Sequence, residues 1–233
     1  MPASTTTTRL RTKPRSPWFL FMLTLTVTFS SVGCMNEMIM LAYLIGGPPS
    51  IEPDFDRVTT QSMTEKDVRV AVVVYAPDDV LFSFHHIDVE LAKHVAFKLR
   101  EHQITVYNPD VVRNWLDRHD DWDKPEEIGE ALGATFVIFV DLSKFSLWEE
   151  NSPNLYRGRG EALVSVIEMD EESEDGEKIY RKEVISVYPL TVPRAASEVT
   201  YSQFKLEYLN RLSEDIGRLF YEHYNGDDIV DAI

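Results

Sequence analysis

The sequence predicts an α/β (α+β) fold, with a single mixed β-sheet of about five strands and helices packed on it. Two segments are apolar on both faces, as strands covered on both sides are. Apolar stripes at helical spacing lie between and after them. Two long extended stretches joined by an Asp-Gly turn predict a β-hairpin. The predicted element order is therefore β-α-β-α-α-β-β-β-α.

The first half of the domain alternates strands with helices. Val68–Tyr75 is apolar and rich in β-branched residues, which predicts a buried strand. Ile104–Tyr107 predicts a short second strand, and a helix follows from about Asp110, the candidate N-cap, to Arg118. Between the two strands, an apolar stripe that predicts a helix is formed by Ile87, Leu91, Val95 and Leu99.

The second half begins with a short helix over residues 125–133, which proline opens and glycine closes. Ala134–Leu142 is another fully apolar strand. Residues 155–169 and 179–188 are the arms of the predicted hairpin, and the acidic segment Asp170–Gly176 is its tip. We expect Val72, Val74, Phe136, Ile138 and Val140 to lie in adjacent central strands.

A last helix is expected from about Ser202 to Tyr224, and the residues after it are expected to be a loose tail. Its apolar stripe consists of Tyr208, Leu212, Ile216, Leu219 and His223. A proline- and glycine-containing stretch over residues 46–66 predicts a linker before the domain. The expected domain organisation is a signal peptide over 1–33, a lipidated N-terminus and linker over 34–66, the α/β domain over 67–225 and a tail over 226–233.

The N-terminal segment has the layout of a bacterial lipoprotein leader. The first 33 residues contain four basic residues and no acidic ones, followed by an apolar run from Trp18 to Phe29 and then small residues. The segment resembles a lipobox, in which Cys34, the only cysteine of the chain, would be lipidated after cleavage following Gly33. Ser31 departs from the pattern, because lipoboxes usually carry Leu there.

Two other interpretations of the leader stay open. The segment Trp18–Val32 could be an uncleaved membrane anchor, but its 15 residues fall short of the roughly 20 that a span needs. Asn36 and Glu37 interrupt its continuation into the next apolar patch. Alternatively, Cys34 could be a buried thiol of an ordinary core helix. With no second cysteine, an internal disulfide is excluded, so a packed core must stabilise the fold.

The charge of the chain excludes one class of partner. Without the four basic residues of the leader, 19 Lys and Arg remain against 39 Asp and Glu, a net charge of −20. Such a surface repels phosphate backbones and anionic lipid headgroups. We therefore expect no nucleic acid as a partner, and we expect membrane attachment through a lipid on Cys34.

The sequence contains no recognisable catalytic or metal-binding motif. The ligand-type side chains of one segment, His85, His86, Asp88, Glu90 and His94, are spaced over different faces of a helix. Residues 117–123 lack the glycine and the final Glu of a calcium loop. The serines have no nucleophile-elbow glycines around them. The sequence thus predicts no catalytic residues, no metal and no cofactor.

Two arginines on one face of the first extended stretch, residues 155–169, are the best candidates for a binding role. Arg157 and Arg159 alternate with Gly158 and Gly160, so the arginines share one strand face and the glycines the other. Together with Tyr156 they form a candidate partner surface, since Arg and Tyr are favoured at interfaces. The alternative role of the arginines is to neutralise neighbouring carboxylates.

A short signature carries a resemblance to a known group of proteins. The run 127–138, in which a helix ends in Gly-Ala and feeds an apolar strand, resembles the N-terminal domain of TolB, LpoB and CsgG-like envelope lipoproteins. The chain is more closely similar to uncharacterised lipoproteins of planctomycete type, in the segments 43–49, 122–123, 152–153, 155–159 and 187–189. The resemblance implies an envelope location and this fold, but no catalytic residues.

These observations predict a membrane-anchored cell-envelope lipoprotein with its domain on the extracytoplasmic, periplasmic side. The predicted role is a non-catalytic module for protein interaction or assembly with other envelope proteins, and not an enzyme. The alternative is a small-ligand-binding protein or an enzyme whose site lies at the strand ends near Pro77–Asp78 and Asn108–Pro109, where open α/β sheets bind ligands.

Overall fold

The computed structural model describes residues 50–170 and 176–224. Its elements, in chain order, are β1 (Ser50–Ile51), α1 (Asp54–Thr59), β2 (Val70–Tyr75), α2 (Asp78–Ser83), α3 (Ile87–Glu101), α4 (Pro109–Leu116), α5 (Pro125–Leu132), β3 (Phe136–Trp148), β4 (Leu155–Met169), β5 (Gly176–Tyr188), β6 (Arg194–Ala195), α6 (Tyr201–Gly217) and β7 (His223–Tyr224). The leader with Gly33 and Cys34, the hairpin tip at 171–175 and the expected tail lie outside the described residues.

The main sheet has five strands and mixed directions, which confirms the predicted fold class. Its order is β2-β3-β4-β5, with β6 paired to the start of β4. Strands β2 and β3 are parallel, and the remaining pairs are antiparallel. Val72 pairs with Ile138 and Val74 with Val140, so the two apolar segments are adjacent as expected. Strand β2, however, stands at one end of this order and not at its centre.

One face of the sheet carries the main core. Helix α3 packs on β2, and α6 packs beside α3 across β3, β4 and β5. Even-numbered residues of β2, such as Val72 and Val74, point into this core, because successive strand residues alternate between faces. The helical stripes predicted for α3 and for the first part of α6 are buried here, namely Ile87, Leu91, Val95, Leu99, Tyr208, Leu212 and Ile216.

The opposite face of the sheet carries a smaller core. Helix α4 packs on β2, and α5 packs on β2, β3 and β4. Ala71, Val73 and Val137 point to this side and meet Val112 of α4 and Ile128 of α5. These helices pack on β2, β3 and β4, whereas Ile185 of β5 is exposed.

Several element boundaries differ from the sequence prediction. Strand β3 continues six residues beyond Leu142 to Trp148, past two irregularities in its pairing with β4. The segment Ile104–Tyr107 is not a strand, because only Val106 forms a parallel bridge, with Val70. Helix α6 ends at Gly217, and His223 belongs to β7, which pairs with β1.

The ends of the short helices follow ordinary capping chemistry. Helix α4 begins one residue earlier than expected, and its N-cap is Asn108 rather than Asp110: the Asn108 side chain accepts a hydrogen bond from the Asp110 amide at 3.0 Å. Helix α5 ends at Gly133, whose φ of 63° is the left-handed conformation that favours glycine. The predicted start and stop of α5 are thereby confirmed.

Part of the predicted linker over residues 46–66 packs into the domain, since it includes helix α1. Phe55 of α1 and Met63 are completely buried in the main core, and the ring of Phe55 meets Phe136 and Tyr180 edge-on. Polar residues around these two anchors made the segment resemble a linker. Over the described ranges, no helix combines the length and the apolar character that crossing a membrane requires.

Candidate interaction surface

The candidate site lies at one end of the main sheet, where β3 ends, β4 begins, β5 ends and α6 begins. We call this region the meander end and define it by Trp148, Glu149, Tyr156, Arg157, Arg159, Pro189–Val192 and Tyr201. It includes the three residues that the sequence singled out as a partner surface. It also includes a loop, Pro189–Val192, and an aromatic pair that the sequence analysis missed.

Glycines determine which way the arginines face. A Cβ atom added to Gly158 would lie 2.2 Å from ring carbons of Tyr208, so helix α6 approaches β4 more closely than any side chain allows. The Tyr208 hydroxyl donates to the Ser186 carbonyl at 3.2 Å, and burial raises the pKa of Tyr208. Because the glycine face is occupied by α6, Arg157 and Arg159 point to the opposite face, as the alternation predicts.

Arg157 works as a clamp for the neighbouring loop. Its Nε donates to Glu149 Oε2 at 2.5 Å. Its terminal nitrogens donate to three successive main-chain carbonyls, those of Pro189 at 2.7 Å, Leu190 at 3.1 Å and Thr191 at 3.2 Å. Only 12% of the Arg157 side chain remains exposed. This guanidinium therefore fixes the backbone of the loop that follows β5.

Arg159 completes the ion cluster from the next position on the same strand face. Its Nη2 donates to Glu149 Oε1 at 2.5 Å, and its Nη1 lies 3.3 Å from the Trp148 carbonyl. The hydrogen bonds from Arg159 and Arg157 lower the pKa of Glu149 to about 2. Glu149 is therefore ionised throughout the physiological range and holds both guanidinium groups. The neutralising role considered for the two arginines is realised here.

Tyr156 and its aromatic neighbours form a stack at the edge of the core. Its ring centroid lies 4.5 Å from that of Trp148 and 5.1 Å from that of Phe204, and only 5% of Tyr156 is exposed. Trp148 and Tyr201, at a centroid distance of 6.3 Å, remain 38% and 39% exposed. Tyr156 therefore packs between the core and Trp148, whereas Trp148 and Tyr201 are partly exposed to solvent.

The clamped loop exposes apolar side chains. Pro189 is buried and its peptide bond with Tyr188 is cis, while Leu190 and Val192 are 58% and 72% exposed. The available sequence signal for this loop was a pair of prolines, Pro189 and Pro193, with Leu190 and Val192 between them. It was missed because the exposure of Leu190 depends on the clamp, which joins residues more than 30 positions apart.

The strand-end site considered as an alternative holds very little space. The cavity between β2, α3 and α4 measures about 20 Å³ and is lined by Val74, Ala92, Val112 and the ion pair of Asp88 with Arg113. That volume is about the size needed for one water molecule. A larger cleft, about 500 Å³, opens beside the meander end, but its Lys144 and Glu161 are paired with each other at 2.8 Å.

The ligand-type residues of the His85–His94 segment do not converge. Asp88 pairs with Arg113 at 2.9 Å, Glu90 with Lys205 at 2.6 Å, and His94 Nδ1 lies 3.1 Å from Asn210 Oδ1. Burial lowers the pKa of His94, although the bond with Asn210 and the charge of Glu90 oppose this. Among residues 50–170 and 176–224, no group of three or more His, Cys, Asp or Glu side chains is arranged to hold a metal ion.

No family model matches the sequence, and no curated protein matches it. Solved structures with a related arrangement include lipoprotein GNA1162 from Neisseria meningitidis, at 11% identity and a TM-score of 0.40, covering 60% of this chain and 92% of that one. The PelC dodecamer from Paraburkholderia phytofirmans has 8% identity and a TM-score of 0.43, over 74% and 96%. The hypothetical protein CT253 from Chlamydia trachomatis has 13% identity and a TM-score of 0.40, over 66% and 91%.

At these identities and TM-scores, the likenesses carry no conclusion about activity or partners. The resemblance of the sequence to the TolB N-terminal domain, LpoB and CsgG-like lipoproteins stays a prediction, as does the similarity to planctomycete-type lipoproteins.

Proposed function

We propose that this chain is a membrane-anchored lipoprotein of the cell envelope whose α/β domain is a non-catalytic module for binding another envelope protein. Attachment would occur through a lipid on Cys34 after cleavage following Gly33, which leaves the domain on the periplasmic side. The leader layout and the position of the only cysteine support the anchor.

One observation carries the binding role. At the meander end, the Arg157 clamp fixes a loop whose side chains Leu190 and Val192 face solvent. On the α6 face of the same end, the rings of Trp148 and Tyr201 are each exposed by more than a third. Apolar and aromatic side chains on a rigid scaffold lose little conformational freedom on binding, which favours affinity for a partner. Phe82 on α2 is 84% exposed, and single exposed apolar residues of this kind need no functional explanation.

The ligand-binding alternative receives less support. A small-molecule site of ordinary size encloses about 300 Å³ or more. The cavity between β2, α3 and α4 is about 20 Å³, and Asp88 and Arg113, which border it, satisfy each other. The cleft of about 500 Å³, which Asp79 and Val80 of α2 help to line, is large enough for a small molecule and is the place where the alternative function would be tested. We propose an interaction module because the clamped loop is a specific structural feature, whereas the side chains Lys144 and Glu161 of this cleft pair with each other.

Two measurements test this proposal on the native protein. Mass spectrometry should find a mature chain that begins at acylated Cys34, and an intact Met1 terminus without lipid would refute the anchor. Lysine-directed cross-linking in intact envelopes should join the domain to one other protein reproducibly. A small molecule retained in native mass spectrometry, without any cross-linked partner, would favour the alternative function.

A further inference from the structure

Strand β3 is longer than its neighbour β2, and this difference leaves part of one sheet edge free. Strand β2 ends at Tyr75, which pairs with Asp141, whereas β3 continues to Trp148. Beyond Asp141, β3 pairs only with β4 among the described residues, and no backbone group elsewhere in the described ranges bonds to residues 143–147. The backbone groups of this stretch that point away from β4 are therefore available to another strand.

Helix α2 borders this free edge across the cleft of about 500 Å³. The cleft is lined by four consecutive residues of β3, residues 143–146, and by residues of α2 and its end, among them Asp79, Ser83 and Phe84. Successive strand residues point to opposite faces, so a cleft that borders four of them in a row reaches the backbone edge of the strand. The cleft also extends over β4 to Arg159, which belongs to the meander end, so the two surfaces are continuous.

The pairing of β3 with β4 limits how much chain can add to this edge. Register shifts occur between Leu142 and Lys144 and between Ser146 and Trp148, so only residues 144–146 keep a regular register between them. Such irregularities twist a strand locally and protect its edge against a whole second sheet. A short extended segment therefore suits this edge better than the edge strand of a second copy, β5, which is 13 residues long.

The charged side chains of the cleft indicate the chemistry of such a segment. The lysine and the arginine that line the cleft, Lys144 and Arg159, are each held by a carboxylate, at 2.8 Å and 2.5 Å. The carboxylates of Asp79 and Glu150 also line the cleft, but they are exposed and form no ion pair within the described part of the chain. A segment that enters the cleft thus meets unpaired negative charge, which favours a basic residue.

We propose that the free edge of β3 binds a short extended segment of the partner protein, which adds as a strand beside residues 144–146 and packs against α2. This inference rests on the proposed function and adds where the partner binds and in which conformation. In this mode of recognition, main-chain hydrogen bonds provide affinity, and alternate side chains provide specificity. The segment places an apolar side chain against half-buried Phe84 and a Lys or Arg opposite Asp79 or Glu150.

Photo-cross-linking on the full-length chain in native envelopes tests the location. One variant carries p-benzoylphenylalanine at Ser83, and a matched control carries it at the neighbouring Phe82, which is 84% exposed and does not line the cleft. The Ser83 position should give an adduct about tenfold stronger than the Phe82 position. Mass spectrometry of the adduct should place the attachment within one short segment of one partner.

A charge reversal tests the basic residue of the segment. Asp79 is exposed, so Asp79→Lys in the chain that carries the probe at Ser83 should leave the thermal midpoint unchanged, while the adduct falls about fivefold. Asp78→Lys is the matched control, because Asp78 is also exposed in the first turn of α2 but does not line the cleft. This control should leave the adduct unchanged, and equal effects of both substitutions would overturn the assignment of a basic segment.

Amide hydrogen exchange shows whether the contact is a strand. A synthetic peptide with the sequence of the cross-linked segment is added to the unaltered full-length chain in detergent. Those amides of residues 143–147 that do not bond to β4 should then exchange about tenfold more slowly or less, while exchange in α4 and α5 stays unchanged. A peptide that binds without slowing exchange at these amides would contradict the added strand.

The remaining outcomes separate this inference from the proposed function. Equal adducts at Ser83 and Phe82, or attachment to a second copy or to another part of the same chain, would overturn the inference. If lysine cross-linking finds a partner but the probe at Ser83 gives no adduct, the edge is wrong while the proposed function stands. If no method joins the domain to any protein, the proposed function itself fails.

Discussion

The main core and the meander end are stabilised by opposite means, although β4 and α6 run through both. In the core, apolar side chains of α3, α6 and the sheet exclude water, and the Tyr208 ring of α6 packs directly on Gly158 of β4. At the meander end, two arginines and one carboxylate hold a backbone whose apolar side chains remain in solvent. The difference indicates that the first region stabilises the fold, whereas the second positions a surface.

The largest effect should come from placing a charge in the core. Ile138 is completely buried in β3, between its pairing partners Val72 and Val166. An unpaired carboxylate there costs several kcal/mol, so Ile138→Asp should remove most of the roughly 5–15 kcal/mol that a domain of this kind possesses. Circular dichroism should show an unfolded chain.

The control for this substitution keeps the apolar character. Ile138→Val should cost about 1 kcal/mol and leave a cooperative melt, because it removes a single methylene from the core. A folded Ile138→Asp protein that melts like the unaltered chain would show that β3 is not where the core lies.

A smaller but still large effect is expected at the contact of α6 with β4. Gly158→Ala would place a methyl group against the Tyr208 ring, which must shift away together with α6. Overpacking of this kind costs about 2–3 kcal/mol, which corresponds to a thermal midpoint lower by roughly 6–10 °C. Differential scanning calorimetry measures this change.

A second substitution shows whether the ring causes the cost. In a Tyr208→Leu background, Gly158→Ala should destabilise much less than in the unaltered chain, since the two effects share one contact. Equal costs in both backgrounds would mean that α6 does not approach β4 at Gly158.

Replacing both arginines of the clamp should affect the meander end and spare the core. In Arg157→Glu with Arg159→Glu, three carboxylates meet where one carboxylate held two cations. Amide hydrogen exchange over residues 190–195 should accelerate by about tenfold or more, while exchange in β2 and β3 stays unchanged. Loss of the whole fold would instead assign the arginines to global stability. A stable chain that still binds its envelope partner would remove this surface from consideration.

The difference between the two regions also explains which parts of the structure can be predicted from the sequence. The apolar runs around Val72 and Ile138 and the stripe of α3 report burial through local periodicity, so the sheet and its main helices are predictable. The proline and glycine at the ends of α5 are equally local signals. The sequence does not indicate that Phe55 and Met63 are buried, because each stands alone among polar residues. A single buried residue produces no periodic apolar pattern.

The candidate site was predictable only in part. The alternation of Arg157 and Arg159 with two glycines correctly indicates which side chains share a face. It does not indicate that Arg157 points along the strand to carbonyls of residues 189–191, because that contact depends on the ends of β4 and β5 meeting in register. The exposure of Leu190 depends on tertiary contacts, so no periodic pattern in the sequence indicates it.

The smallest expected effect is a pH dependence that separates the clamp from the core. The pKa of Glu149 falls to about 2 in the folded chain, well below the roughly 4.3 of an unperturbed Glu, because Arg159 and Arg157 bind its charged form. A carboxylate with a lowered folded pKa contributes stability that is fully present above the unfolded pKa and is lost as the pH falls through the folded pKa. The clamp should therefore be intact at pH 5 and weaken between about pH 4 and pH 2.

Hydrogen exchange of loop amides 190–192, corrected for the intrinsic pH dependence, measures this weakening. Glu149→Gln provides the control, since a neutral amide cannot titrate and should make the loop equally mobile at about pH 5 and about pH 2.5. The contribution of Asp56 to the pH dependence of stability has the opposite sign. Burial raises the pKa of this half-buried carboxyl group, so its protonation as the pH falls stabilises the folded state. A loop that loosens in step with the core, in both the unaltered chain and Glu149→Gln, would mean that general acid unfolding and not the clamp determines its mobility.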